Sequence, residues 1–246
     1  MKLYVLRLGT VEVDVAKFMA MEPERGKRYA GPVTAFLIET DDGGHVLVDT
    51  GLAPEHVDDP QARLPQPDVV VTMRPEDDIV HQLGRIGLAP ADIGTVINTH
   101  FDFDHCGGNR HFRHADLYVQ RSHYEWASQT ETPWRQDWDL EGVEYRLVDG
   151  EAEIVDGIRA IPTPGHVPGH ASLTLTLPNT GAVIIAGDAA QTHVMFEEER
   201  VLGTPDPEQV RASIRALKAI RDRHGATVFV CHDVDRVYRE LPAYYD

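Results

Sequence analysis

Residues 100–109 read His-Phe-Asp-Phe-Asp-His-Cys-Gly-Gly-Asn, and His100, Asp102, Asp104 and His105 all carry side chains that ligate cations. Imidazole nitrogen and carboxylate oxygen are donors that borderline and hard metal ions accept. Such crowding, closed by Gly107 and Gly108, is hard to explain as packing, because core positions favour apolar side chains. If the four donors converge, they form a cation site. Three more segments supply donors in turns or after apolar runs. Thr163-Pro164-Gly165-His166-Val167-Pro168-Gly169-His170 holds His166 in a loop stiffened by Pro and Gly. Asp188 leaves one apolar strand and His232 leaves another. Two metals close together need a shared carboxylate, and Asp188 is the natural candidate. Such a pair can hold a hydroxide, because metal binding lowers the pKa of water far below its bulk value.

The chain has 13 histidines among 246 residues, so most must do something other than ligate. His45, His56, His81, His111, His114, His123, His170, His193 and His224 read as surface or hydrogen-bonded core residues. Cys106 and Cys231 read as two small buried residues rather than a disulfide framework.

These donors need a scaffold. Hydrophobic residues make up 42% and charged residues 26%, which allows an ordinary globular core. The net charge of −17 argues against nucleic acid and against anionic membrane surfaces as partners. No apolar run reaches the ~18 residues of a membrane span, and no signal peptide is apparent, so a cytoplasmic protein is expected. Strands are predicted at Leu3–Leu8, Val11–Val15, Val33–Glu39 and His45–Val48, with Gly43-Gly44 as a hairpin turn. Residues 53–74 read as an exposed loop. A helix begins at Pro75-Glu76-Asp77-Asp78, carries Ile79, Leu83 and Ile86 as its apolar stripe, and stops at Gly87. Thr95–Thr99 leads into the ligand cluster, and Asp116–Gln120 forms the next strand. A polar stretch at 122–143 contains Trp126, Trp134 and Trp138. The second half repeats the pattern at 145–148, 152–155, 158–161, 172–177 and 183–186. A helix from Asp206 to Gly225 presents Val210, Ile214, Leu217 and Ile220, and a last strand covers Thr227–Val230. No break in composition divides the chain. A single α+β domain over residues 1–246 is expected, with two sheets face to face and helices outside.

The motifs together resemble a known family. Asp49-Thr50-Gly51 matches an early Asp-Thr-Gly turn. Residues 100–109 match His-x-His-x-Asp-His-x-Gly-Gly-Asn except at Asp102. The 163–170 loop matches the third motif, and Asp188 matches the bridging acid. Gly203, Asp206-Pro207-Glu208 and His232-Asp233 match the C-terminal region. Over essentially its whole length the chain resembles the metallo-β-lactamase-fold hydrolases, and within them the N-acyl homoserine lactonases that quench quorum signalling.

The resemblance implies a four-layer αββα sandwich and two divalent metal ions. His100, Asp102 and His166 would hold the first ion; Asp104, His105 and His232 would hold the second; Asp188 would be shared. A bridging hydroxide would open a small-molecule lactone, with Asp104 carrying the proton to the leaving ring oxygen. Asp49 would orient ligands, and Phe103 and the Trp-containing stretch would border the acyl pocket. A homodimer would use that stretch, if exposed, as its contact. Two positions depart from the family. Asp102 stands where a histidine is usual, as a carboxylate does on the iron site of the flavodiiron proteins. It favours Mn, Fe or Co over Zn, or leaves a metal-binding protein with a weakened first site. Gln191 stands where the lactonases carry a tyrosine near the substrate carbonyl; its amide can donate to that oxygen. A thioesterase of the glyoxalase II kind is the rival activity, without a clear Lys/Arg cluster to support it.

Overall fold

The structure is a computed structural model that describes residues 1–15, 27–64, 66–201, 204, 206–234 and 242–246. Gly203 of the C-terminal motif lies outside the described residues. Seven strands form one sheet: β1 (Lys2–Asp14), β2 (Arg28–Glu39), β3 (His45–Val48), β4 (Val70–Thr72), β5 (Thr95–Ile97), β6 (Asp116–Gln120) and β7 (Arg146–Val148), in the order β4-β1-β2-β3-β5-β6-β7. Five form the second: β8 (Ala152–Val155), β9 (Ile158–Pro162), β10 (Ala171–Leu177), β11 (Gly181–Ile185) and β12 (Thr227–Phe229), in the order β12-β11-β10-β9-β8.

Strand alternation builds the layers. On β2, Val33, Ala35 and Leu37 join one apolar cluster, whereas Phe36 and Ile38 join another. The second cluster lies between the sheets, where Phe36, Ile38, Val46, Val48 and Ile97 meet Leu173, Leu175, Val183 and Ile185. Beyond the first sheet, Leu83 of α1 (Ile79–Arg85) packs with Leu6, Leu8 and Leu37. Beyond the second, Ile184 and Val228 meet Phe196 of α4 (His193–Glu198) and Val210, Ile214 and Leu217 of α5 (Pro207–His224). Three apolar interfaces give four layers, αββα, as expected.

Several local expectations change. The two strands predicted before residue 15 are one, with a register shift between Arg7 and Thr10 around Gly9. The 53–74 segment is not simply an exposed loop: β4 pairs with β1, and Ala53, His56, Val69 and Val71 are buried. Its Pro and Asp content hid a short edge strand. Ile86 is exposed: α1 starts only after Asp78, whose side chain caps it at Val80 N, and ends at Arg85, so Ile86 lies beyond the helix and off its apolar stripe. The polar stretch after residue 120 begins with a helix, α3 (Arg121–Ser128). Trp134 and Trp138 are buried and Trp126 is partly buried, so the stretch is not the exposed one expected. Trp138 stacks on Phe101 with ring centroids 4.7 Å apart, and Trp134 Nε1 donates to Phe101 O at 2.6 Å.

The loop that carries the ligand cluster closes on the Asp49–Ala53 turn by backbone contact. Gly107 N donates to Gly51 O at 2.8 Å, and a Cβ at Gly107 would lie 2.1 Å from Ala53 N. Nothing lies within 4 Å of a Cβ at Gly84, inside α1. Urea unfolding should therefore separate the two glycines. Gly107→Ala should lose about 3 kcal/mol or more as an overpacked site. Gly84→Ala should gain about 0.5–1 kcal/mol.

Candidate metal centre

The candidate ligands sit just beyond strand ends. His100 and Asp102 follow β5, and Asp104 and His105 lie in the one-turn helix α2 (Phe103–Cys106). His166 lies between β9 and β10, Asp188 follows β11, and His232 follows β12. Because β9, β11 and β12 run the same way, their C-terminal ends share one edge of the second sheet. Backbone bonding fastens the two halves there: Ala171 N donates to Thr99 O at 3.1 Å.

The side chains converge into two groups that could each hold a cation. Donor atoms of His100, His166 and Asp188 lie within 4.8 Å of one another, as do those of Asp104, His105 and His232. Asp188 stands between them. Its Oδ1 is 3.4 Å from His105 Nε2 and 3.2 Å from His232 Nε2, and its Oδ2 is 3.4 Å from His166 Nε2. Asp104 Oδ2 is 3.7 Å from His232 Nε2. The buried atoms His100 Nε2, His105 Nε2 and Asp188 Oδ1 make no hydrogen bond. Leaving a buried polar atom unpaired costs about 1–3 kcal/mol, so three aimed into one space fit a cation as the missing partner.

Asp102 belongs to this space too. Its Oδ2 lies 3.2 Å from His166 Nε2 and 3.4 Å from His100 Nε2. It occupies the N-cap of α2, yet its side chain caps nothing; its backbone oxygen accepts from His105 N and Cys106 N instead. An aspartate at that position normally accepts from the helix amides. Turning to the histidines instead ties it to the site.

The hydrogen bonds behind the ligands fix which ring nitrogen faces inward. The Thr99 hydroxyl donates to Asp49 Oδ2 at 2.7 Å, so it accepts from His100 Nδ1 at 3.0 Å. His105 Nδ1 donates to Asp49 Oδ2 at 2.8 Å, and His232 Nδ1 donates to Pro32 O at 2.8 Å. Each of these imidazoles therefore presents an Nε2 lone pair to the centre, the tautomer a metal requires. Asp49 also accepts from Thr99 N at 2.8 Å, and it holds this position with a left-handed backbone, φ 59°. That conformation is costly outside glycine, and it recurs where function demands it.

The sequence reading of His170 and His123 as hydrogen-bonded core residues matches their bonding. Both Nε2 atoms accept backbone amides, from Asp188 N at 2.9 Å and Phe101 N at 2.8 Å, so neither presents a lone pair to the centre. His170 nonetheless positions the Asp188 backbone through a chain to Thr163 Oγ1, Ser172 Oγ and Ala186 O, a role the sequence reading missed. Its place at the end of the 163–170 motif was the available signal. His56 is neither surface nor bonded: it is buried against the edge of Phe103 with Nδ1 unpartnered. Phe103 also meets Trp134 edge-on at 5.9 Å. Gln191 donates from Nε2 to Asp188 Oδ2 at 2.7 Å.

Charge shapes the group. Burial alone would lower the pKa values of His105, His166 and His232, but neighbouring carboxylates outweigh it and leave all three raised. Burial opposes ionisation of Asp102 and Asp188 as well. The surrounding imidazoles nonetheless hold both carboxyls well below the usual range. His123 is pushed by burial, and by the His100 imidazole beside it, down to about 4.

The family model of the metallo-beta-lactamase superfamily matches residues 28–232. The N-acyl homoserine lactonase AiiA of Bacillus thuringiensis subsp. kurstaki is 34% identical over 239 residues, covering 96% of this chain and 94% of its own. The N-acyl homoserine lactonase AttM of Rhizobium radiobacter is 34% identical over 264 residues, covering 99% and 98%. A solved N-acyl homoserine lactone hydrolase, with the product N-hexanoyl-L-homoserine bound at its catalytic metal centre, superposes with a TM-score of 0.89. It shares 32% identity and covers 99% of this chain and 98% of its own. Likeness over the full length, on top of the converging donors, makes this chain a member of the metallo-beta-lactamase superfamily, in its N-acyl homoserine lactonase branch.

Proposed function

We propose that this protein is a two-metal hydrolase that opens the lactone ring of N-acyl homoserine lactones or a related small lactone. The observation that carries the reading is the pair of donor groups joined at Asp188, with buried Nε2 and Oδ1 atoms left without hydrogen bonds. His100, His166, Asp102 and Asp188 would hold one divalent ion, and Asp104, His105, His232 and Asp188 the other. Each set then offers two imidazoles and two carboxylates, donors that zinc accepts; Asp102, standing where the family has a histidine, shifts the first set toward harder ions such as Mn or Fe, or Co. Bound there, the ions supply Lewis acidity that activates water and polarises a carbonyl.

The chain's own groups do the rest. Asp104, beside His232, would carry a proton to the ring oxygen as a positioned acid. Gln191 has a second amide hydrogen beyond the one given to Asp188, and that hydrogen can meet a substrate carbonyl oxygen. Phe103, backed by Trp134 and His56, offers an apolar wall of the kind an acyl chain needs. Asp49 fixes the imidazole of His105 and, through Thr99, that of His100. A thioesterase reading remains the rival, and substrate turnover separates the two.

Protein loaded with Zn, Mn, Fe(II) or Co should open N-acyl homoserine lactones in a panel that includes other lactones and thioesters. Turnover of thioesters with every lactone left intact would reject the proposal. Asp49→Asn should weaken metal binding about 10–100-fold, read by titration, because it loosens the orientation of two imidazoles. Metal uptake should also fall as pH drops. The raised imidazole pKa values mean protons compete with the cation from above the ordinary value of about 6.5. Calorimetric titration across that range checks the sign: affinity unchanged down to pH 5 would contradict it.

A further inference from the structure

Asp188 uses its two oxygens unequally. Oδ1 makes no hydrogen bond and faces His105 and His232. Oδ2 faces His166 and also accepts the Gln191 amide at 2.7 Å. An oxygen already hydrogen-bonded offers less electron density to a cation, so the handicap falls on the pocket of His100 and His166. Each pocket has one carboxylate of its own, Asp102 here and Asp104 in the other, so the Gln191 contact is a difference that charge does not offset. Exposure also differs between the pockets. Side-chain exposure is 29% for Asp102 and 25% for His166, though 0% for His100, against 10% for Asp104, 1% for His105 and 5% for His232. Ligand exchange needs water or a competing donor to reach the ion, and the first pocket has the two most exposed donors.

We propose that the two pockets are kinetically distinct: Asp104, His105 and His232 retain their ion, while His100, His166 and Asp102 hold an exchangeable one. Gln191 loosens the exchangeable ion by engaging Asp188 Oδ2, and Asp102 contributes to its hold. This inference rests on the two-metal reading above.

The test is metal release from the intact, fully loaded protein. Samples are challenged with excess EDTA, desalted at intervals, and analysed for metal per chain; circular dichroism confirms that each variant is folded. The wild-type protein should lose one equivalent rapidly and the other slowly. Asp102→Asn, nearly isosteric but uncharged, should accelerate the fast phase about tenfold and leave the slow phase unchanged. Gln191→Leu removes the amide donor and should slow the fast phase severalfold. Release of both equivalents in one phase would overturn the proposal. So would equal acceleration of both phases by Asp102→Asn, or a fast phase that Gln191→Leu leaves unchanged or quickens. A protein that takes up only one equivalent would instead sink the two-metal reading itself.

Discussion

The centre depends on one buried carboxylate that ligates nothing. Asp49 leaves β3 in a left-handed turn, and its two oxygens collect Thr99 N, Thr99 Oγ1 and His105 Nδ1. Those bonds pin the end of β5 to the start of α2, the two places from which the cluster's side chains project. Charged acceptors make stronger and more directional bonds than neutral ones. Backbone strain at Asp49 is therefore tolerable, because the surrounding network over-determines it. Without this brace, His100 and His105 would have rotational freedom that a metal would have to remove on binding.

A second layer of constraint comes from glycine. Gly107 and Gly108 let the ligand loop settle on the Asp49–Ala53 turn, with Gly108 N donating to Thr50 Oγ1 and a Cβ at Gly107 excluded by Ala53 N. Gly187, at φ 55°, lies under His170, where a Cβ would stand 2.7 Å from Nε2. These residues allow close approaches of chain to chain, so the candidate donor atoms on four separate chain segments can share one small volume.

Much of this was legible in the sequence, for physical reasons. Strands followed by a helix, twice over, announce two sheets face to face with helices outside, and the apolar run Ala35–Ile38 is what a strand buried on both faces requires. The donor residues cluster at strand ends beside Gly and Pro, a pattern that packing does not produce. What stayed hidden depends on tertiary contact. The pairing of β4 with β1 is invisible in Val70–Thr72, which is too short to show a period. The burial of Trp134 and Trp138 comes from stacking and hydrogen bonding to Phe101, a residue distant in sequence. The part His170 plays in holding the Asp188 backbone rests on Asp188 N and Thr163 Oγ1 meeting its two ring nitrogens, and no local pattern encodes that.

The candidate ligands are drawn from both sheets: His100, Asp102, Asp104 and His105 from the first, and His166, Asp188 and His232 from the second. A cation held among them is a rivet across the inter-sheet core, and its binding energy adds to the energy that docks one sheet on the other. Ligands that bind only the folded state stabilise it by mass action. A chain synthesised under metal scarcity would open more often at this seam, and transient opening is what proteases sample. The abundance of the protein, and not only its turnover, would then follow the metal economy of the cell that makes it.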